Sequence, residues 1–324
     1  MKYFITGATG FIGGQLARQL REAGHEVTAV VRSPAKAQDL VQLGVTLHQG
    51  DVTEKESMRK PMSGAEGVFH VAGWYKVGVR DKSQAYAINV EGTRNVLELM
   101  KELNISKGVY TSTLAVNSDT HGVEADENYH FTGKHLSLYD QTKAEAHELA
   151  LKMIQDGLPL VIVQPGLVYG PGDTSSVRAS LIQYLKKQLP VMPAQTSFSW
   201  AHVDDVARAH WLAMEKGKTG ESYNICGPTH KFTDALELAK EVSGVRLPMA
   251  APAPMLKAMS VMMSVFDRFI PLPESYTGEG LRIIAGRTYI GSNTKAKREL
   301  GYDPRPLREG FAETVKHEMK LLGM

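Results

Sequence analysis

Short apolar runs and longer stretches of helical spacing alternate along the first half of the chain. Residues 2–5 predict a strand. Residues 11–23 predict a helix, with Leu16, Leu20 and Ala23 on its apolar side and Gly24 ending it. Further strands are predicted over 26–31, 45–48, 67–71, 107–111 and 159–163. Long helices are predicted over 83–103 and 144–154, the first carrying an apolar stripe of Ala87, Val90, Val96, Leu97 and Met100. Strand–helix alternation of this kind builds a parallel, doubly wound α/β sheet with right-handed crossovers. Ligands of such sheets sit at the carboxyl ends of the strands.

After Pro165 the pattern changes. Residues 166–195 and 227–324 are richer in Pro, Met and helical spacing and predict a smaller, mostly helical substrate lobe. Residues 196–226 return to the first lobe, giving a dinucleotide-binding half of 1–165 with 196–226. No repeat or low-complexity segment interrupts this division.

Composition narrows the picture. The 324 residues are 43% hydrophobic and 22% charged, values of a globular chain with a large core. A net charge of +2 gives no reason to expect a nucleic-acid partner. The single cysteine, Cys226, excludes an internal disulfide and a cysteine metal cluster. His202, Asp204 and Asp205 look like metal ligands on paper but are expected to cap a helix, so no metal is expected. No apolar stretch is long enough to span a membrane, and the chain opens directly on a core strand, so a cytoplasmic protein is expected.

Chemistry enters at Thr6-Gly7-Ala8-Thr9-Gly10-Phe11-Ile12-Gly13. Three glycines at a strand-to-helix turn let backbone approach a pyrophosphate, and the amides of the helix start meet its charge. Further on, Tyr139 and Lys143 are four residues apart, on one face of a helix. An ammonium beside a phenol stabilises its anion, so the tyrosine can exchange protons near neutrality. Thr111-Ser112-Thr113, at a strand end, supplies hydroxyls that can hold a substrate oxygen.

These segments resemble the extended short-chain dehydrogenase/reductase family, also described as NAD-dependent epimerases/dehydratases. The resemblance runs through Gly50-Asp51-Val52, His70-Val71-Ala72-Gly73, Asn89–Thr93, Thr111–Thr113, Tyr139–Lys143, Gln164–Gly172, Trp200–Ala207 and Lys295–Tyr302, nearly the whole chain. It implies a Rossmann fold with Tyr139 as acid/base, Lys143 tuning it and holding the nicotinamide ribose, and Thr113 or the adjacent Ser112 as the partner hydroxyl. By the same resemblance Gly7, Thr9, Gly10, Phe11, Ile12 and Gly13 hold the pyrophosphate. Asp51 and Val52 flank the adenine, Ala72 and Gly73 line the pyrophosphate side, and Pro165, Gly166 and Val168 back the nicotinamide. Family members often pair through two first-lobe helices, here 83–103 and 139–155, so a homodimer is implied.

Charge separates the cofactors. The second strand ends Val30-Val31-Arg32-Ser33, with Lys36 beyond and no acid to bind ribose hydroxyls. Arg32 and Lys36 suit a 2′-phosphate, so NADP is expected over NAD. Thr113 is followed by Leu114-Ala115-Val116, without the Asp-Glu pair of the family's sugar dehydratases. Residues 287–293 lack the Arg-x-Gly-Asp element of its nucleotide-sugar enzymes. The texture is similar to the dihydroflavonol-reductase-like branch, which implies NADPH-dependent reduction of a ketone or aldehyde on a small-molecule substrate. A sugar epimerase or dehydratase is the alternative within the family, and a non-catalytic NADP-binding redox sensor the alternative outside catalysis. Met255, Leu256, Met259, Met262, Met263 and Phe266 form an apolar stripe that serves either lobe packing or a pocket for a bulky apolar substrate.

Overall fold

A computed structural model describes residues 1–79, 81–267, 269–270 and 272–324. The first half runs β1 (Lys2–Thr6), α1 (Phe11–Glu22), β2 (Glu26–Val31), α2 (Gln38–Gln42), β3 (Thr46–Gln49), α3 (Lys55–Met62), β4 (Gly67–His70), α4 (Ser83–Tyr86), α5 (Gly92–Glu102), β5 (Gly108–Thr111), α6 (Leu138–Gln155) and β6 (Leu160–Pro165). The second half runs β7 (Leu167–Tyr169), α7 (Ser176–Leu185), β8 (Val191–Pro193), β9 (Ser197–His202), α8 (Val203–Lys216), β10 (Ser222–Ile225), β11 (Thr229–Lys231), α9 (Phe232–Ser243), β12 (Met249–Ala251), α10 (Ala253–Phe266), α11 (Gly278–Ile284), β13 (Thr288–Tyr289), α12 (Thr294–Leu300) and α13 (Leu307–Leu322).

Seven parallel strands form the main sheet, in the order β10-β6-β5-β4-β1-β2-β3. The central strands are apolar on both faces because helices cover both. One core packs Leu16, Leu20, Phe69, Val163 and Ala209 among α1 and α8. The other packs Phe4, Val68, Tyr110, Ile162 and Ala146 among α3, α5 and α6. This is the Rossmann arrangement, and the strand order reverses between β1 and β4, where such sheets bind ligands.

The second half builds a smaller layer over the strand ends. β9 pairs with β7, β11 and β13 in a four-stranded sheet. Trp200, Tyr169 and Phe311 form its core with α7, α9 and α13. α10 packs on α11 through Leu256, Met259 and Met263, while Met255, Met262 and Phe266 are exposed. Among the described residues no helix is long and apolar enough to cross a membrane.

Two helices depart from their predicted outlines. The helix expected over 83–103 contains a π turn at Ala87–Glu91. The wider turn turns Asn89 inward, where its amide donates to Trp74 O (2.9 Å) and Thr142 Oγ1 (2.9 Å) and its oxygen accepts from Trp74 N (2.7 Å). α6 begins at Leu138, six residues before the predicted 144, because Ser137 caps it by accepting from Asp140 N.

Candidate active site

The two layers enclose a cleft of about 580 Å³ along the carboxyl ends of β1, β2, β4, β5 and β6. Its cofactor half starts at Gly7, which has φ +79°; a Cβ there would lie 2.6 Å from Ala72 N. Only glycine lets the end of β1 come this close to the end of β4. Gly13 plays the matching part on α1, since its Cβ would overlap Gly7 O. Thr6 Oγ1 accepts from Ala72 N (3.3 Å) and is bonded to His70 Nδ1 (2.7 Å), while His70 Nε2 meets Thr93 Oγ1 (3.0 Å). Burial pushes the His70 imidazole down to about 3, so it is neutral.

Gly10 stands at the N-cap of α1 and offers no capping side chain, and the first turn carries no acid. The amides of Phe11, Ile12 and Gly13 therefore open on the cleft with the positive end of the helix dipole, which fits a pyrophosphate. Gly7, Thr9 and Gly10 line the same stretch. Arg32 lines the far end; it is exposed and makes no ion pair or hydrogen bond among the described residues. Asp51 and Val52 are beside it, with Asp51 Oδ1 accepting from Thr53 N and Oγ1 at 2.9 Å each. Ala72, Gly73, Pro165, Gly166 and Val168 complete this half. Lys36 lies on an exposed 3-10 turn (Pro34–Lys36) and does not line the cleft, because that turn leads the chain away from the strand end after Arg32.

Thr113, Tyr139 and Lys143 meet where the two halves join. The Thr113 hydroxyl accepts from Ala115 N (3.1 Å) and faces the same cleft as the Tyr139 phenol, whose charged form it favours. The Ser112 hydroxyl instead meets His147 Nδ1 at 2.8 Å. Both hydroxyls line the cleft with Tyr139. Lys143 Nζ donates to Thr111 O (2.8 Å) and Tyr110 OH (3.1 Å), leaving one N–H for a further acceptor. Burial pushes the Tyr139 phenol up to about 12, against the opposing effect of the Thr113 hydroxyl. Burial also brings the Lys143 ammonium down to about 7. Desolvation dominates at both groups, which disfavours the charged form of each.

The substrate half is walled by Trp74, Val77, Leu167, Phe198 and Ile283, with Asp140 and Tyr289 among them. Tyr75 OH meets Thr174 Oγ1 at 2.9 Å and bridges two cleft-lining loops. None of the Met255–Phe266 stripe lines the cleft. Among the described lining residues the cations are Arg32 and Lys143. Two other arginines are committed: Arg178 to the buried Glu318 (2.7 Å) and Arg287 to Asp119 (2.9 Å). Asp205 holds Arg305 (2.9 Å), and His202 Nδ1 accepts from Asp204 N (3.3 Å) at the start of α8. No metal-binding cluster is present among the described residues. Phe198, Ile283 and Tyr289 carry no sequence motif. Asp140 had one signal, the spacing Ser137-x-x-Asp140 of a capping box.

A model of the NAD dependent epimerase/dehydratase family matches residues 3–226. The chain is 29% identical over 326 residues to a putative dihydroflavonol 4-reductase of Synechocystis sp., covering 97% of this chain and 93% of that one. Its fold is similar to the crystal structure of gox2253 (TM-score 0.85, 30% identity, 99% and 98% of the two chains). It also resembles that of a UDP-glucose 4-epimerase of Thermotoga maritima (TM-score 0.80, 24% identity, 99% and 100% of the two chains). With this match over most of its length, the chain belongs to the NAD dependent epimerase/dehydratase family, the extended short-chain dehydrogenases/reductases.

Proposed function

We propose that this protein is an NADPH-dependent reductase of ketones or aldehydes on neutral, largely apolar small molecules. The observation that carries this reading is the place of the Tyr139 phenol, in the cleft with Thr113 and Lys143 at the junction of the two halves. Reduction needs a proton donor at the carbonyl oxygen, and a phenol so placed is one. Two further facts favour it. The substrate half offers no uncommitted cation among the described residues, whereas a nucleotide diphosphate needs one or more. A full-length relative bears a reductase's name.

A bound nicotinamide cofactor would supply the hydride. Gly7–Gly13 would hold its pyrophosphate, Asp51 and Val52 its adenine, and the exposed Arg32 its 2′-phosphate. Ala72, Gly73, Pro165, Gly166 and Val168 would line its remaining length. Lys143 has one N–H left for a ribose hydroxyl. As charge develops on the substrate oxygen, Tyr139 gives it the phenolic proton and Thr113 steadies the phenolate. In this reading residues 1–165 with 196–226 hold the cofactor, and 166–195 with 227–324 cover the substrate. The division is crossed at the seam: Trp74, Val77, Asp140 and Phe198 belong to the substrate wall, and Gly166 and Val168 to the cofactor side.

The test is loss of reduced-nicotinamide absorbance with NADPH, and separately NADH, across aldehydes, ketones, diketones and steroids. Tyr139→Phe is expected to lower kcat by about 10²- to 10⁴-fold, the usual worth of a positioned acid, while NADPH binding persists. Tight NADPH binding with no consumption on any carbonyl would overturn the reading in favour of an epimerase or a sensor.

A further inference from the structure

The substrate half contains a polar pair that the reduction itself does not use. Asp140 follows Tyr139 on α6, and its carboxyl is buried. Ser137 Oγ donates to Asp140 Oδ1 at 2.7 Å, and Tyr289 OH, from β13, donates to Oδ2 at 3.2 Å. Both residues line the cleft that holds Tyr139. Helix capping accounts for the Ser137 contact. It gives no reason for a tyrosine, 149 residues further on, at the other oxygen.

Tyr289 is firmly placed. Phe198 stacks on its ring at 5.8 Å with 15° between the planes. Its neighbour Thr288 donates to Asp119 Oδ1 through the amide (3.0 Å) and the hydroxyl (3.1 Å), and Arg287 pairs with the same carboxylate. A group fixed this well can discriminate between ligands, because little ordering remains for binding to impose.

The charged groups around Asp140 do not include a bonded cation. Lys143, one turn on, bonds to Thr111 O and Tyr110. From α11, Glu279 accepts from Leu138 N (2.6 Å), and Arg282 donates to Leu136 O (3.3 Å). From the β13 side come Tyr289 and the Asp119–Arg287 pair, and from α6 itself Tyr139. Burial, with Glu279 adding to it and the Ser137 and Tyr289 bonds opposing, pushes the Asp140 carboxyl up to about 7. Near neutrality it can therefore donate a proton or accept one.

We propose that Asp140 and Tyr289 together bind a second oxygen of the substrate, so that the cleft selects neutral molecules with a hydroxyl or carbonyl beside the reacting carbonyl. The reacting carbonyl rests on the reductase reading; the binding preference does not need turnover. Anionic substrates are disfavoured by Asp140 and Asp173, which both line the cleft.

The experiment is calorimetric titration of the NADP⁺-loaded protein with propiophenone, its α-hydroxy derivative and the corresponding α-diketone. Both dioxygenated ligands are expected to bind about tenfold more tightly than propiophenone, the worth of one well-made buried hydrogen bond. Tyr289→Phe is expected to reduce that advantage to about twofold or less, with folding checked by circular dichroism. The diketone can only accept, so its advantage over propiophenone should decline from pH 6 to pH 9, and decline less in Asp140→Asn, where only Lys143 of the two is left to titrate. Should Asp140→Asn fail to fold, Tyr289→Phe still decides. No advantage in the unmodified protein, or an advantage untouched by Tyr289→Phe, overturns the proposal. A preference without NADPH consumption on any carbonyl would sink the reductase reading and leave the pair's role standing; turnover without a preference would do the reverse.

Discussion

At the scale of single residues, Arg32 carries the cofactor prediction. It stands exposed at the end of β2, lines the cleft and has no partner among the described residues. A guanidinium with free donors is suited to a phosphate dianion, and a charge-assisted bond of this type contributes about 1.5–3 kcal/mol. Arg32→Glu removes the donor and adds a repelling charge. The NADPH-over-NADH ratio of kcat/KM is expected to fall by about 10- to 100-fold, mostly through the KM for NADPH. An unchanged ratio would mean that the guanidinium stacks on the adenine instead of reading the phosphate. Lys36, read from sequence as the second cation, does not line the cleft, so the prediction is placed on Arg32. Spacing suggested the pair, but the turn at Pro34–Lys36 sets the direction of the chain after Ser33.

At the scale of elements, the β1–α1 turn shows how close the packing of a site can be. The Gly7 Cβ that alanine would add falls 2.6 Å from a backbone nitrogen of the β4 end, at a φ that side chains resist. Neither strand can yield without breaking register with its neighbours. Gly7→Ala should therefore destabilise the protein by about 2–4 kcal/mol and abolish tight NADPH binding, seen in thermal melts and calorimetry. A folded variant that binds NADPH normally would show that the turn relaxes. This turn was legible in the sequence because its residues are contiguous, as were β1, β2 and β4. Helix outlines were less so: the π turn at Ala87–Glu91 answers to Asn89's partners in Trp74 and Thr142, contacts that no local pattern records. The substrate wall was least legible. Phe198, Ile283 and Tyr289 come from β9, α11 and β13, and only tertiary folding brings them to Tyr139.

At the scale of the molecule, His70, His147 and His210 fasten helices on both faces to the sheet. His70 bridges β1 and α5 through Thr6 and Thr93. His210 of α8 reaches Thr111 at the end of β5 (2.8 Å), and His147 of α6 reaches Ser112 just beyond it (2.8 Å). Burial lowers their imidazoles to about 3, about 4 and about 4, against 6.5 for an exposed histidine, with the Lys143 ammonium adding to the effect on His70 and His147. The unfolded chain therefore binds more protons than the folded one between those values, so stability is lost as pH falls below about 6.5. At about 1.4 kcal/mol per unit, each histidine comes to cost on the order of 3 kcal/mol by pH 4. Three such costs rival the whole stability of a typical domain, about 5–15 kcal/mol. Asp140, Glu127 and Asp173 act in the opposite sense, since burial raises their carboxyls, while His25, His135 and His202, also lowered by burial, add to the loss in acid. Acid unfolding followed by far-ultraviolet circular dichroism should thus have its midpoint near pH 4–5 and proceed as one transition across both helical layers. His210→Gln, which can hold both the Thr111 hydroxyl and the Val206 carbonyl without titrating, should move that midpoint down by several tenths of a pH unit, while a fold intact at pH 3 would show that these imidazoles charge without cost.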